Sequence, residues 1–148
     1  MRDSSMSDVK KLKKTVMVDV CFTQTMNGYD PVEITEESQG SLYQVDDETY
    51  ILAFDAHMNE KKVTTTVKVS RGVMSIVKIG DVHSRQTYKV GEWYASQYFY
   101  GGGSVVCRNF CKKMDYSLST DGGIIDVLYE LWSGDSHLGF YNLEIFIR

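Results

Sequence analysis

Cys107 and Cys111, four residues apart, are the pair of side chains in this sequence that could hold a metal ion or form a disulfide. In an extended strand this spacing separates the two Cα atoms by roughly 13 Å, whereas a disulfide requires about 4.4–6.8 Å. The spacing also differs from that of a zinc knuckle, so a bulge would be needed to bring both thiols to one metal ion. We therefore expect Cys107, Cys111 and Cys21 to be small apolar packing residues.

The other residue types that often catalyse reactions are dispersed along the chain. His57, His83 and His137 lie in separate segments, whereas a catalytic or metal site requires a second ligand or an orienting carboxylate beside the imidazole. No G-x-S-x-G turn is present to expose a serine nucleophile. The sequence therefore predicts three surface histidines, no catalytic residues, no metal site and no cofactor.

A run of three glycines occupies positions 101–103. The GK[ST] sequence of a phosphate-binding loop does not follow it, so the run does not predict a phosphate site. Glycine allows a strand to change direction sharply. The run therefore predicts a bend of a strand at a barrel corner.

Charged residues are unevenly distributed, and the net charge is −4. Nucleic-acid binding requires a basic face that neutralises phosphates, so this charge argues against it. The lysines at positions 10–14 predict a solvated arm. Residues 30–48 contain seven carboxylates and no lysine or arginine, which could repel acidic ligands or coordinate a hard cation. Because they lack the spacing of an EF-hand loop, they favour a solvated edge strand with its loop.

The length of 148 residues predicts one domain with its own core. We expect a flexible N-terminal arm at residues 1–13 and a barrel domain at residues 14–148. No run of about 18 apolar residues is present to span a bilayer, and no apolar stretch follows the charged first residues as it would in a signal peptide. With three cysteines, an odd number, the sequence predicts a protein of the reducing cytoplasm that does not bind a membrane.

Apolar and polar residues alternate with a period of two over most of the chain, and helical periodicity is nearly absent. Arg71-Gly72 has the composition of a two-residue hairpin turn, because glycine readily adopts the positive φ that such turns require. The long segment at 104–120 is expected to bend near Lys112. The predicted strands lie at residues 16–23, 50–58, 63–70, 73–79, 82–90, 94–100, 104–120, 124–132 and 137–148.

Strands that follow one another through short turns are typical of hairpins that close into a barrel. A sandwich would need longer Greek-key connections, and closing the meander removes exposed sheet edges. The sequence therefore predicts an all-β fold. It is a single antiparallel meander closed into a calycin/lipocalin-like β-barrel of about eight to ten strands.

Four segments carry a resemblance to a known family. They are TTVKVSRGVMSIVKIG, EWYASQYFYGGG, CKKMDYSLSTDGGIIDVLYELW and NLEIFIR. In order and spacing they resemble the YwiB-like family of bacterial calycin-type β-barrel proteins, whose function is uncharacterised. The resemblance covers the chain well from Lys62 onward and loosely over the first third. It implies the barrel fold and supplies no activity.

The chain departs from this family at two places. Lys78 stands where the family usually carries an arginine ahead of the glycine. Tyr100 and the glycines at 101–103 stand where the family often has a Thr-Pro-Tyr-Gly turn. Because arginine and lysine do not bind anions with the same geometry, a site that depended on a guanidinium would be altered here.

Tyrosine is unusually frequent, with ten residues, and several tyrosines share the apolar parity of their strands. Such rings can fill a barrel completely, or they can surround one small apolar or amphipathic ligand. The sequence leaves both alternatives open. The predicted ligand-binding residues are Tyr50, Phe54, Lys78, Gln86, Tyr88, Tyr129 and Tyr141.

Two orientations are open for Lys78. It shares parity with Met74 and Ile76, and an inward orientation would place it at the barrel mouth, where it could meet a carboxylate or phosphate head group. Val77 and Ile79 belong to a competing apolar face of the same segment. The sequence slightly favours the outward orientation of Lys78.

An aromatic segment provides the alternative functional surface. Trp93, Tyr94, Tyr98, Phe99 and Tyr100 place rings on both faces of one predicted strand, so both faces need cover. Buried rings would plug the barrel end, whereas exposed rings would form a homodimer or partner interface. Two functional hypotheses result: a small-ligand-binding barrel without catalytic activity, and a protein interaction module.

Overall fold

The regular elements of the described chain are all β-strands. The computed structural model describes residues 12–58 and 61–148. Within them no helix is long and apolar enough to cross a membrane. In chain order the strands are β1 (Leu12–Thr25), β2 (Val32–Asp46), β3 (Thr49–Met58), β4 (Lys61–Ser70), β5 (Val73–Ile79), β6 (Val82–Lys89), β7 (Trp93–Tyr100), β8 (Gly103–Ser119), β9 (Gly122–Ser133) and β10 (Ser136–Ile147).

The ten strands form one closed antiparallel barrel. Each strand pairs with its neighbours in the chain, and β1 pairs with β10 to complete the circle. In the closing register, Val18 lies opposite Ile147 and Phe22 lies opposite Leu143. The predicted single meander closed into a barrel is therefore confirmed. Strand β1 begins at Leu12, and residues 1–11 of the predicted N-terminal arm lie outside the described residues.

The acidic stretch at residues 30–48 forms a longer and more enclosed strand than predicted. Strand β2 pairs with β1 from Val32 to Gln44 and with β3 from Gly40 to Asp46. The prediction of an edge strand is therefore wrong for the second half of β2, which has a partner on each side. The first half pairs with β1 alone in the described ladder. Strands β2 and β3 therefore separate on the N-terminal side of Gly40 in β2.

Tight turns connect the hairpins. The predicted Arg71-Gly72 turn is confirmed, because both residues have positive φ, 50° and 80°, and Ser70 pairs with Val73 across them. The glycine run does not bend a strand as predicted. Gly101 and Gly102, also with positive φ, form the turn between β7 and β8. A two-residue turn of this kind matches the twist of the flanking strands.

A bulge in β8 produces the predicted bend at Lys112. Cys111 pairs with Tyr129 and Lys113 pairs with Leu128, so Lys112 is an extra residue in the ladder. Because one extra residue reverses the alternation, the inward positions are odd-numbered before the bulge and even-numbered after it. Cys107 and Cys111 are buried, as predicted.

A tyrosine stack fills one part of the interior. The ring centroids of Tyr88 and Tyr129 are 4.8 Å apart, and those of Tyr129 and Tyr141 are 5.4 Å apart. Phe22 continues the stack, 5.6 Å from the ring of Tyr141. Around these rings lie apolar residues that are almost fully buried, including Leu52 and Met74. This part of the barrel is a packed core.

Gly40 marks the closest approach of β2 to its neighbours. A Cβ atom at this position would lie 2.7 Å from the carbonyl oxygen of Ala53 and 3.1 Å from the side chain of Val18. We predict that Gly40→Ala lowers the free energy of unfolding by about 1–3 kcal/mol, as overpacking does elsewhere.

The control is Ser41→Ala on the opposite face of the same strand, expected to change stability by less than about 0.5 kcal/mol. Urea denaturation monitored by tryptophan fluorescence measures both variants. Equal stabilities for the two variants would contradict the close approach of β2 and β3 at Gly40.

Candidate functional site

A cavity of about 480 Å³ opens into the barrel on the side where β2 and β3 part. Strands β1 to β5 and β10 supply its walls. The mouth is marked by Ile34, which is 54% exposed, and by the exposed His57. The residues that line the cavity are Val20, Phe22, Ile34, Glu36, Phe54, Ala56, His57, Thr65, Val67, Ile76, Lys78, Leu143 and Ile145.

The deep wall of the cavity is apolar. Val67, Ile76 and Ile145 are each almost fully buried, and they come from β4, β5 and β10. Phe22 belongs both to this wall and to the tyrosine stack. The stack therefore forms one boundary of the cavity, and the barrel is part packed core and part hollow.

Lys78 faces the cavity, which corrects the outward orientation favoured by the sequence. Its neighbours of the same parity, Met74 and Ile76, are almost fully buried, whereas Ile79 is more than half exposed. Burial lowers the pKa of the Lys78 ammonium below its ordinary value, and the negative charge of Glu36 acts in the opposite direction. Within residues 12–58 and 61–148 the ammonium forms no salt bridge.

Two buried hydroxyl groups flank Lys78. Thr65 pairs with Lys78 across β4 and β5, and Ser84 pairs with Lys78 across β5 and β6. The two hydroxyl-bearing residues are 3% and 6% exposed, and neither hydroxyl oxygen has a hydrogen-bond partner in the protein. A buried polar atom without a partner costs free energy. Thr65 and Lys78 line the cavity, whereas Ser84 is not among its lining residues. Thr65 and Lys78, which we call the Lys78 row, therefore offer hydrogen-bond donors to a bound molecule.

Glu36 supplies the second charge of the cavity. Its two carboxylate oxygens accept the backbone N–H of His57 at 3.1 and 3.4 Å. The side chain thus supplies the acceptor for a backbone N–H of β3 where the β2–β3 ladder has ended. In the sequence, Glu36 is one of seven carboxylates in a stretch expected to be solvated. Glu36 lies two residues from Ile34, so the two side chains share a face of β2. This spacing could have indicated that Glu36 faces the cavity, but the sequence did not give the bounds of β2.

The seven predicted ligand-binding residues separate into two groups. Phe54 and Lys78 line the cavity. The tyrosine stack contains three of the others, and Tyr50 packs against the core beside it. Gln86 is buried and donates from its side-chain amide to the hydroxyl of Tyr98. These five residues thus belong to the packed part of the interior.

The predicted interface residues also divide between two faces. Trp93 and Phe99 are 47% and 48% exposed, whereas Tyr94 and Tyr98 are partly buried. The side chain of Tyr100 lies outside the described residues. The ring of Trp93 packs 5.0 Å from that of Phe110.

The histidines do not form one site. His57 and His83 are exposed as predicted. The surface prediction is wrong for His137, whose Nε2 lies 3.0 Å from Glu130 Oε1 and whose Nδ1 lies 3.1 Å from the Asn27 amide nitrogen. In the part of the chain that the structure describes, no three His, Cys, Asp or Glu residues are grouped to hold a metal ion.

The fold and cavity define a class of protein: a closed ten-stranded antiparallel barrel with an apolar-walled cavity that contains charged groups. The family model described as "Domain of unknown function (DUF1934)" matches residues 18–145. The chain belongs to this family.

Two comparisons with a Bacillus subtilis protein agree with this assignment. The uncharacterized beta-barrel protein YwiB of strain 168 is 26% identical over 106 residues, which cover 72% of this chain and 74% of that protein. The crystal structure of the ywiB protein matches with a TM-score of 0.81 at 22% identity, covering 95% of this chain and 96% of that chain. The resemblance found in the sequence is confirmed. The calycin/lipocalin-like classification stays a prediction.

The partly buried ammonium predicts a pH-dependent stability difference. Because the pKa of Lys78 is lower in the folded protein, the unfolded chain binds more protons between that pKa and the ordinary value of 10.5. The resulting penalty is fully present below the folded-state pKa and disappears as the pH rises through 10.5. We therefore predict that Lys78→Met is more stable than the wild type near neutral pH, and that the difference shrinks at alkaline pH.

Urea denaturation at several pH values measures the difference, with Lys68→Met, at an exposed position of β4, as the control. A Lys78→Met protein with the same pH dependence as Lys68→Met would show that Lys78 is solvated like a surface lysine.

Proposed function

We propose that this protein binds one small amphipathic molecule inside its barrel and does so without catalysing a reaction. The observation that supports the proposal is the cavity of about 480 Å³, a volume within the range of roughly 300–1,000 Å³ that is typical of small-molecule sites. Its walls are apolar except for a few polar groups near the mouth. Such a combination of apolar walls and few polar groups favours a ligand with one polar end.

Packing considerations support a binding role for the cavity. Protein interiors are close-packed, and most voids are no larger than a water molecule. The tyrosine stack shows that this barrel can be filled by large rings, yet Ala56 and Thr65 stand on the cavity wall. Small side chains at these positions leave space that larger residues would occupy in a packed core.

The chemistry of the interior supports a non-catalytic role. Burial raises the pKa values of the Tyr88 and Tyr129 hydroxyls above the ordinary value, so both phenols remain protonated and cannot act as bases at neutral pH. Burial also raises the pKa values of Cys107 and Cys111. Because the thiolate is the nucleophilic form of cysteine, these two thiols are poor nucleophiles. All three cysteines are free, which fits the proposed reducing cytoplasm.

Native mass spectrometry on protein purified without denaturation tests the proposal directly. We expect the folded protein to carry one additional small molecule, and the extra mass to disappear on denaturation. Extraction of the dissociated molecule into organic solvent, followed by mass analysis, would identify its chemical class.

Filling the cavity should abolish binding. Ala56 lines the cavity, and we predict that Ala56→Phe removes the extra mass and lowers the affinity for added amphipathic ligands at least about tenfold by occluding the space. Circular dichroism and the unfolding midpoint check that the variant is folded.

Ala95 on β7 is exposed, so Ala95→Phe is the matched control and should bind like the wild type. Equal ligand binding by a folded Ala56→Phe protein and by Ala95→Phe would contradict binding in this cavity.

A second candidate function is self-association through the outer face of β7. The observation that favours it is the exposure of about half of each of the large side chains Trp93 and Phe99, since aromatic residues are enriched in protein interfaces. The partner proposed for this face is a second copy of the chain, related by a two-fold axis.

We predict a concentration-dependent dimer in light scattering, and Phe99→Ser should weaken its association at least about tenfold. The control is Ile124→Ser, at another exposed apolar position on β9. A wild-type protein that remains monomeric at the highest soluble concentration would contradict self-association.

A further inference from the structure

We propose that the ligand of the cavity is an amphipathic monocarboxylate whose carboxylate group binds the Lys78 ammonium and the neighbouring Thr65 hydroxyl, while its apolar body lies against the deep wall. This inference rests on the proposed function and specifies its ligand. It is carried by the position of one ammonium and one unpartnered hydroxyl, those of Lys78 and Thr65, on the wall of a cavity lined mainly by apolar side chains.

The geometry of the Lys78 row matches a planar group with two acceptor oxygens. Thr65 and Lys78 occupy directly opposite positions on β4 and β5 and line the cavity. Directly opposite residues in an antiparallel ladder have Cβ atoms about 4.5–5.5 Å apart. The ammonium can therefore contact one carboxylate oxygen, and the Thr65 hydroxyl can donate to the same group.

Charge and hydrogen bonding favour an acceptor group over a donor group at this position. The ammonium has three N–H donors and no acceptor capacity, and the neighbouring Thr65 hydroxyl has no hydrogen-bond partner in the protein. A carboxylate would accept these hydrogen bonds and would neutralise the charge of Lys78. Charge-assisted hydrogen bonds of this kind are about twice as strong as those between neutral groups.

Glu36 limits the charge that the cavity can accept. Its carboxylate lines the same cavity and is close enough to influence the proton affinity of Lys78. A ligand with a single negative charge can bind the ammonium, whereas a second negative charge would be repelled by Glu36. A phosphate monoester near neutral pH carries more than one negative charge, so it is disfavoured relative to a carboxylate.

The deep wall determines the other end of the ligand. Val67, Ile76 and Ile145 provide aliphatic contacts, and Phe22 with the tyrosine stack behind it provides an aromatic boundary. Burying an apolar body there gains roughly 25 cal/mol per Å² of apolar surface removed from water. An alkyl or aryl acid has this polarity, with its charged group toward the mouth.

Matched ligands test the head group separately from the body. Isothermal titration at pH 7 would compare straight-chain acids of six to twelve carbons with the alcohols of the same lengths and with the alkyl phosphates. We expect at least one acid to bind the wild-type protein about 10- to 100-fold more tightly than the alcohol of equal length, the range that one charge-assisted hydrogen bond supports. The phosphate of that length should bind more weakly than the acid.

Lys78→Met tests the residue that carries the inference. Methionine keeps the length and apolar stem of lysine and removes the ammonium, so the variant should lose the preference for acid over alcohol while its affinity for the alcohol stays within about twofold. Lys68→Met, at an exposed position of β4, should retain the full preference. Thr65→Val, which removes one hydroxyl without changing the shape, should reduce the preference by an intermediate factor.

The outcomes separate this inference from the proposed function. Equal binding of acid and alcohol by the wild type, tighter binding of the phosphate, or an unchanged preference in Lys78→Met would each overturn the monocarboxylate inference and leave the cavity as a ligand site. Failure of every acid, alcohol and phosphate to bind a protein that also carries no extra mass would overturn both.

Discussion

Eight residue pairs between β1 and β10 hold the first and last strands of the chain together and give the barrel its interior. Without this pairing the meander would be an open sheet with two exposed edges, and its inward-facing apolar residues would have no opposite wall. The contact joins residues more than a hundred positions apart in the chain. Its stability therefore depends on all the intervening hairpins having the correct register, because a one-residue slip turns every side chain to the other face.

The closed interior is shared between a core and a cavity. Large rings at Tyr88, Tyr129 and Tyr141 fill one part, whereas small or slender side chains such as Ala56 and Thr65 leave the other part open. A barrel of about eight strands is just wide enough to be filled by side chains or to hold one small ligand. Ten strands enclose a wider space, and this chain fills it only in part.

The electrostatics of the cavity follow from where the β2–β3 ladder ends. Beyond Gly40 the two strands no longer pair in the described ladder, and the Glu36 carboxylate accepts the backbone N–H of His57 that a ladder carbonyl would otherwise accept. The same separation forms the mouth and places a negative charge beside it. Lys78 lies on the wall of the same cavity, so the polar groups are concentrated near the mouth and the apolar groups lie behind them.

Much of the fold could be predicted because its signals are local. Strand parity comes from a period-two pattern, and Arg71-Gly72 forms its hairpin because of the backbone freedom of one glycine. A bend near Lys112 was expected from the length of the segment at 104–120, but the bulge that reverses the alternation there is visible only in the strand pairing. The prediction for the glycine run was wrong because glycine is favoured both in tight turns and at strand bends. The pairing of Tyr100 with Gly103 shows that the run forms a turn.

The sequence by itself determined which residues share a face of each strand, where most hairpins turn, and which family the chain resembles. Only the tertiary structure determined which interior residues pack against the tyrosine stack and which line the cavity. Parity predicts that Phe54 and Tyr129 both point inward, but their different surroundings depend on the closing register, the bulge in β8 and the volumes of side chains from distant strands. For the same reason only the closed barrel could bring Glu36 and Lys78, on non-adjacent strands, to one cavity.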